Sequence, residues 1–248
     1  MFDQVWEYVN DKDFNNNPSI KIYKQLITLE ISKDEKDYRT LLSVKDRFGE
    51  NLSKEDIYYV LLVANSYAVS KIKLGDESYY KERYKILREI VERKIQLPDN
   101  ILFVNFTNTF TAACMADDFE WANEFLLQFQ NGITPAEERS NSVNFCKAFS
   151  AFRKKEYDKA LEYFSKTNFK LFLMKVMVKS YTVRIYYEQN MYEQTFSAID
   201  AFRHYLKSEK MIKEDQKNAH YEFLKFINEL TLFKSENLKS KNDNRYLL

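Results

Sequence analysis

The chain has 248 residues, of which 30% are charged, and its net charge is +1. This balance argues against a protein built to hold a phosphate backbone, because such proteins are usually much more basic. The chain is also 45% hydrophobic and 16% aromatic. It can therefore bury a sizeable core, and it is not disordered over most of its length.

The predicted elements are almost entirely α-helical and group into pairs, whose first and second members are called A and B. Apolar spacing and stop signals set their limits. The five pairs are Ser19–Ser32 with Asp34–Phe48, Lys54–Leu74 with Glu77–Lys94, Asp99–Met115 with Asp118–Gln130, Ala136–Lys154 with Tyr157–Lys166, and Phe169–Glu188 with Tyr192–Glu209. A last helix, Glu214–Phe233, has no successor and is expected to close the stack.

Proline and glycine mark the limits of these helices. Pro18, Pro98 and Pro135 each precede a long apolar-periodic stretch, where proline is tolerated at a helix start. Gly49, Gly75 and Gly132 each follow such a stretch, where a left-handed C-cap favours glycine. In addition, Ser53 and Asp56 are spaced for a capping box at the start of the second pair.

The two ends of the chain differ from its middle in their sequence pattern. We expect one helical-repeat domain over residues 1–234, closed at 211–234 by the last helix. Within residues 1–17, Val5, Trp6 and Val9 form a short apolar helix that is either a cap or a B helix whose partner was cut away. Residues 235–248 are polar and aperiodic, and a flexible tail is expected there.

One local pattern recurs along the chain. A short break is followed by a helix whose aromatic and small residues have fixed offsets, most clearly at Lys155–Phe164. The aromatic residues are Phe119, Tyr157 and Tyr192, which gives steps of 38 (157−119) and 35 (192−157) residues. A fixed period in this range is typical of stacked helix pairs.

Residues 98–209 resemble the tetratricopeptide repeat (TPR) family, and residues 18–97 follow its period. The B-helix pattern of the family corresponds here to Tyr157, Ala160, Phe164; to Phe119, Ala122, Leu126; and to Tyr192, Thr195, Ile199. Ala148 matches its small A-helix residue, whereas Lys155 and Asp117 occupy its glycine positions. The resemblance implies an all-α fold, a right-handed α-solenoid of antiparallel helix pairs. Its concave face, lined mainly by A helices, would hold a peptide or partner helix.

Groups suited to catalysis or metal binding are sparse. His204 and His220 are the two histidines, and both have charged sequence neighbours, which indicates surface positions. Cys114 and Cys146 have apolar neighbours and are expected to be small buried residues. We find no metal-ligand spacing and no glycine-rich phosphate loop. We therefore expect no catalytic residues, no metal, no cofactor and no enzymatic activity.

Basic residues cluster in three places, and one cluster, at 79–94, is interleaved with tyrosines. Such an arrangement is typical of surfaces that stack single-stranded nucleic acid. Acidic residues accompany nearly every cluster, however, and solvated faces with ion pairs explain them more simply. A nucleic-acid partner is thus the less favoured alternative.

Four asparagines repeat in step with the helix pairs. Asn105 and Asn108 lie on the third A helix and Asn141 and Asn144 on the fourth, both 36 residues on (141−105, 144−108). Residues three apart share a helix face, and an amide can pair with a peptide backbone. We predict that these four line a ligand groove, although they also fit a plain polar helix face, and Asn144 also fits the repeat interface.

The function expected from these patterns is a non-catalytic protein–protein interaction scaffold that binds a protein or peptide segment. Helical-repeat binding of RNA or single-stranded nucleic acid is the alternative, as is a regulatory domain cut from a larger protein. The start of the chain has no signal-peptide pattern, and its most apolar stretch, 169–187, contains several basic residues. A cytoplasmic location without a membrane partner is expected, provided that Met1 is the natural start.

Overall fold

The structure, a computed structural model, describes residues 17–95, 100–211 and 213–243. Eleven α-helices make up most of these residues, so the predicted all-α class is confirmed. They are α1 (Pro18–Ser32), α2 (Glu35–Phe48), α3 (Lys54–Lys73), α4 (Tyr79–Glu92), α5 (Phe103–Met115), α6 (Phe119–Phe129), α7 (Arg139–Arg153), α8 (Tyr157–Ser165), α9 (Phe172–Glu188), α10 (Tyr192–Ser208) and α11 (Glu214–Asp243). The short helix predicted around Trp6 lies outside the described residues.

The chain divides into two compact units, residues 1–132 and 133–248. The first contains α1 to α6 and a two-residue strand, β1 (Ile101–Leu102); the second begins with the two-residue strand β2 (Ile133–Thr134) and contains α7 to α11. The single domain expected over residues 1–234 stays a prediction. Among the described residues, none of the helices is long and apolar enough to cross a membrane.

In the first unit, neighbouring helices pack in chain order. Every helix from α1 to α5 contacts the next one, and α1 also contacts α3. Three tyrosines from three helices, Tyr38, Tyr67 and Tyr79, lie together at the centre of the core, with the rings of Tyr38 and Tyr67 stacked at 4.5 Å. Aromatic burial of this kind contributes much of the apolar area that holds small helical units together.

The second unit follows the same order of contacts. Helix α7 contacts α8 and α9, α8 contacts α9, and α9 and α10 both contact α11. Its first half centres on Phe145, which packs edge-on against Phe164 at 5.9 Å and Phe169 at 6.0 Å. Phe202 and Leu224, both fully buried, belong to the core around α10 and α11. Each helix thus covers the apolar side of its predecessors.

All five connections from an A to a B helix contain one residue in the left-handed conformation. These residues are Lys33 (φ 53), Gly75 (φ 94), Asp117 (φ 63), Lys155 (φ 59) and Asn190 (φ 57). The predicted glycine C-caps are therefore correct only at Gly75, because Gly49 has φ −57 and Gly132 is not among the positive-φ residues. The family's glycine positions, Asp117 and Lys155, keep the glycine-like backbone without glycine.

The three turns predicted from the recurrent pattern have the same hydrogen bonds. In the turn at Lys155, its N–H donates to the Phe152 carbonyl (3.0 Å) and the Glu156 N–H donates to the Ala151 carbonyl (2.9 Å). The turns at Asp117 and Asn190 repeat this Schellman arrangement at the same offsets. The small residues that follow, Ala122, Ala160 and Thr195, are fully buried. The pattern therefore marks a turn geometry and a core position.

Helix limits differ from the prediction in a consistent way. The three later A helices, α5, α7 and α9, begin three or four residues after their predicted starts, at Phe103, Arg139 and Phe172. Apolar residues before two of these helices, Ile101 (7% exposed) and Phe169 (2%), belong to the core. Because hydrophobic periodicity counts such residues as helical, it places the start too early.

The last helix also departs from the prediction. Helix α11 does not end at Phe233 but continues to Asp243. The added residues contain neither glycine nor proline and include lysine, glutamate and leucine, which favour helix. The predicted end is therefore wrong, while the flexibility expected of residues 235–248 stays a prediction.

Two of the predicted signals for a helix start, a proline and a capping box, are confirmed. Pro18 occupies the first turn of α1, which Asn17 caps by accepting a hydrogen bond from the Ile20 N–H. At α3, Ser53 and Asp56 form the reciprocal capping box.

Candidate functional site

A pocket of about 240 Å³ opens in the first unit where α3, α4 and α5 meet. Its polar lining residues are Asn65, Arg83, Asn100, Asn105, Asn108, Thr109 and Tyr58, and its apolar lining includes Leu62, Leu87, Ile90, Ile101, Leu102 and Phe125. Pockets that combine apolar walls with a few polar groups are typical of binding sites.

Two of the four predicted groove residues lie at this pocket. Asn105 and Asn108, one helical turn apart on α5, are both exposed and both line it. Within the described part of the chain, neither side-chain amide is hydrogen-bonded to another residue. Their donors and acceptors are therefore available to a ligand.

Two residues that line the pocket each have a polar atom without a partner among the described residues. The Nε of Arg83, on α4, and the Oδ1 of Asn65, on α3, are enclosed by protein and make no hydrogen bond. Burial lowers the pKa of the Arg83 guanidinium from its ordinary value, because removal from water disfavours the charged form. A donor and an acceptor are thus both left unsatisfied, although buried polar groups are normally paired.

The aromatic side of the pocket is fixed by ring packing. Phe125 stacks on Phe106 at 5.1 Å and on Trp121 at 5.3 Å, and Trp121 packs edge-on against Tyr84 at 5.4 Å. The Tyr84 hydroxyl donates to Asp118 Oδ2 at 2.6 Å. These contacts join α4 and α6, so the pocket wall is well supported.

The pair of Tyr84 and Asp118 has shifted pKa values. Burial and the neighbouring carboxylate raise the pKa of Tyr84 to about 12. The hydrogen bond from Tyr84, together with that from the Trp121 N–H, holds the pKa of Asp118 below its ordinary value. Asp118 also caps α6 through the hydrogen bond from the Trp121 N–H, so its carboxylate has a structural role.

Asn141 and Asn144, the other two predicted groove residues, lie in the second unit and contact their own chain. The Asn141 amide donates to the Asn168 carbonyl (3.2 Å) and to Glu138 Oε2 (2.8 Å), and its oxygen accepts from the Asn168 N–H (2.8 Å). Asn144 donates over 3.5 Å to Ser140 Oγ and to the Lys166 carbonyl. The backbone that these amides hold is the connection between α8 and α9.

Three of the six basic residues at positions 79–94 have acidic partners. Arg88 pairs with Glu92 (2.6 Å), Arg93 with Glu89 (2.8 Å), and Lys85 with Glu82 (3.6 Å). Sequence reasoning explained all of α4 in this way and so missed Arg83, for which the described residues provide no ion pair. It also did not identify Asn65. The one feature of the sequence that could have indicated this residue is its polar side chain in a mostly apolar stretch of α3.

The remaining reactive residues do not cluster. His204 is exposed, whereas His220 is half-buried against Phe202, with ring centres 5.9 Å apart, and burial lowers its pKa. The surface position expected for His220 is thus only partly correct. Cys114 and Cys146 are both buried, as predicted, and are not joined in a disulfide. In the part of the chain that the structure describes, no three His, Cys, Asp or Glu residues are grouped to hold a metal.

Comparisons with known proteins do not supply a family for this chain. No family model matches it, and no curated protein and no solved structure shows significant similarity to it. We therefore argue its function from the residues of the pocket.

Proposed function

We propose that the chain is a non-catalytic interaction module that holds an extended segment of a partner protein in the pocket of its first unit. Its helix pairs would stack as a right-handed α-solenoid of the tetratricopeptide type. The order of contacts inside each unit and the turn shared by three helix pairs support this proposal. Stacked pairs of this kind commonly bind peptides along one face.

One observation carries the proposal: exposed, unpaired amides lie at a pocket with apolar walls. Asn105 and Asn108 each offer a donor and an acceptor, which matches the N–H and C=O groups of an extended backbone. The apolar lining, such as Leu62, Leu87 and Phe125, would take side chains of the same segment. Backbone pairing gives affinity, while the walls select the side chain.

The test is a selection from a displayed library of random 12-residue peptides against the full chain. Recovered peptides would then be measured against the double variant Asn105→Ala/Asn108→Ala. We expect the affinity to fall roughly tenfold or more, because each lost hydrogen bond contributes about 1 kcal/mol.

The matched control is Asn123→Ala/Asn131→Ala. These two exposed asparagines belong to the first unit but do not line the pocket. This variant should bind as the unchanged chain does. Failure to recover any peptide, or equal affinity for the unchanged chain and the pocket variant, would contradict the proposal.

A further inference from the structure

Arg83 is a partly buried cation, and the three acidic residues of its own helix are engaged by other cations. On its own helix, Glu82 pairs with Arg39 (3.2 Å), and Glu89 pairs with Lys45 (2.6 Å) and Arg93. Glu92 is bound by Arg88. Because a partly buried charge without an ion-pair partner is costly, we expect Arg83 to lower the stability of the chain.

The group that would satisfy Arg83 must also satisfy Asn65. The enclosed Nε of Arg83 needs an acceptor, and the enclosed Oδ1 of Asn65 needs a donor. Both residues line the same pocket. A simple anion provides acceptors only, whereas a peptide that bears a carboxylate provides the acceptor and a backbone N–H donor together.

The charge and the size of the pocket further limit the kind of ligand that fits it. A single guanidinium balances a carboxylate, whereas a phosphate group carries about −1.5 to −2 and would leave excess charge among apolar walls. The volume of about 240 Å³ is below the roughly 300 Å³ at which sites for drug-sized molecules begin. It suits one or two side chains of a longer segment.

We infer that the bound segment carries an internal acidic side chain next to a bulky apolar one. The carboxylate pairs with Arg83, a backbone N–H donates to Asn65, and the apolar side chain packs against Leu62 and Leu87. Asn105 and Asn108 are exposed whereas the Arg83 Nε is enclosed. A side chain therefore reaches the guanidinium, while the backbone beyond the N–H at Asn65 runs along the exposed amides of Asn105 and Asn108. This inference rests on the proposed function and names the chemistry of its ligand.

The experiment repeats the peptide selection in parallel on the unchanged chain and on Arg83→Gln. The displayed peptides are internal to the display protein, so only side chains provide carboxylates. We expect an acid next to Leu, Ile or Phe to be enriched by the unchanged chain and not by the variant. Lys85→Gln, which removes an exposed charge from the same helix, should enrich the same peptides as the unchanged chain.

A double-mutant cycle then measures the pairing directly. A recovered peptide and its Glu→Gln analogue, acetylated and amidated, are titrated against the unchanged chain and Arg83→Gln. The Glu→Gln change should weaken binding roughly tenfold or more to the unchanged chain and little to the variant. Unfolding curves would verify that the variant is folded, and Arg83→Lys should retain part of the preference.

The outcomes separate this inference from the proposed function. Peptides that depend on Asn105 and Asn108 but show no coupling to Arg83 would overturn the inference and leave the proposed function standing. Recovery of no peptide would overturn both. Phosphoserine in place of the glutamate should weaken binding, and tighter binding would overturn the choice of a carboxylate.

Discussion

In the third helix pair, α5 with α6, Asn105 and Asn108 are exposed at a pocket. In the fourth pair, α7 with α8, Asn141 and Asn144 donate hydrogen bonds to the chain's own backbone. The two pairs share the asparagine spacing and the turn between their helices. They differ after the second helix. Helix α8 ends after 9 residues and residues 166–168 contact α7, whereas α6 is followed by a 3₁₀ turn to Gly132.

The same asparagine spacing thus has two different roles in the two pairs. In the fourth pair, an asparagine pairs with a backbone N–H and C=O, as predicted for a ligand, but that backbone is Asn168 of the same chain. In the third pair no described residue takes that role. The fourth pair therefore provides an internal example of what the third pair is proposed to do with a partner.

The largest difference is expected when the asparagine amide is removed from each pair in turn. Asn141→Ala should lower the free energy of unfolding by about 2 kcal/mol, since it leaves the buried Glu138 carboxylate and the Asn168 backbone without a partner. Asn105→Ala should change it by less than about 0.5 kcal/mol. Urea unfolding measures both, and equal effects would remove the distinction.

The second prediction concerns the unpaired charge of the third pair's pocket. Arg83→Met should raise the free energy of unfolding by about 1 kcal/mol, because a partly buried cation without an ion-pair partner is replaced by an apolar chain of similar length. The control Arg93→Met removes an arginine with 47% side-chain exposure and an acidic partner, and it should not stabilise. Destabilisation by Arg83→Met would indicate that Arg83 supports the fold.

A third prediction concerns the caps that follow the shared turns. Asp118 caps α6, whereas Glu156, at the same place before α8, makes no capping hydrogen bond. Asp118→Ala should lower the free energy of unfolding at pH 7 by about 1 kcal/mol. Glu156→Ala should have little effect at any pH, and a large effect there would contradict this account of the caps.

The effect of Asp118→Ala should depend on pH. Because the folded-state pKa of Asp118 is lowered, its contribution is fully present above the unfolded-state pKa of about 4. It is lost as the pH falls through the folded-state value. Urea titrations at pH 7 and pH 3 would measure this, and an effect that grew toward pH 3 would be inconsistent with the lowered pKa.

The smallest expected effect lies in the shared turn itself. Lys155→Gly should raise the free energy of unfolding by about 0.5 kcal/mol, because glycine adopts φ 59 without the steric cost that a lysine Cβ meets there. The flexibility of glycine in the unfolded chain offsets part of this gain. Lys154→Gly, one residue earlier and not left-handed, should destabilise instead; thermal unfolding would separate the two.

The sequence was enough to predict the helices and the short connections between successive helices. It was also enough to predict the fixed offsets of Ala122, Ala160 and Thr195, which are fully buried. These features are local, since periodicity and turn position follow from residues within one helix and its cap. It could not distinguish apolar residues that precede a helix, such as Ile101 and Phe169, from those inside it.

Which polar groups are hydrogen-bonded depends on contacts that form only in the folded chain. Equal spacing put all four asparagines on A helices, but a distant segment, residues 166–168, engages Asn141 and Asn144 and leaves the other pair open. In the same way, the acids near Arg83 in sequence bind other cations. Spacing fixes the helix face of a side chain, whereas its partner depends on chain segments that meet it only after folding.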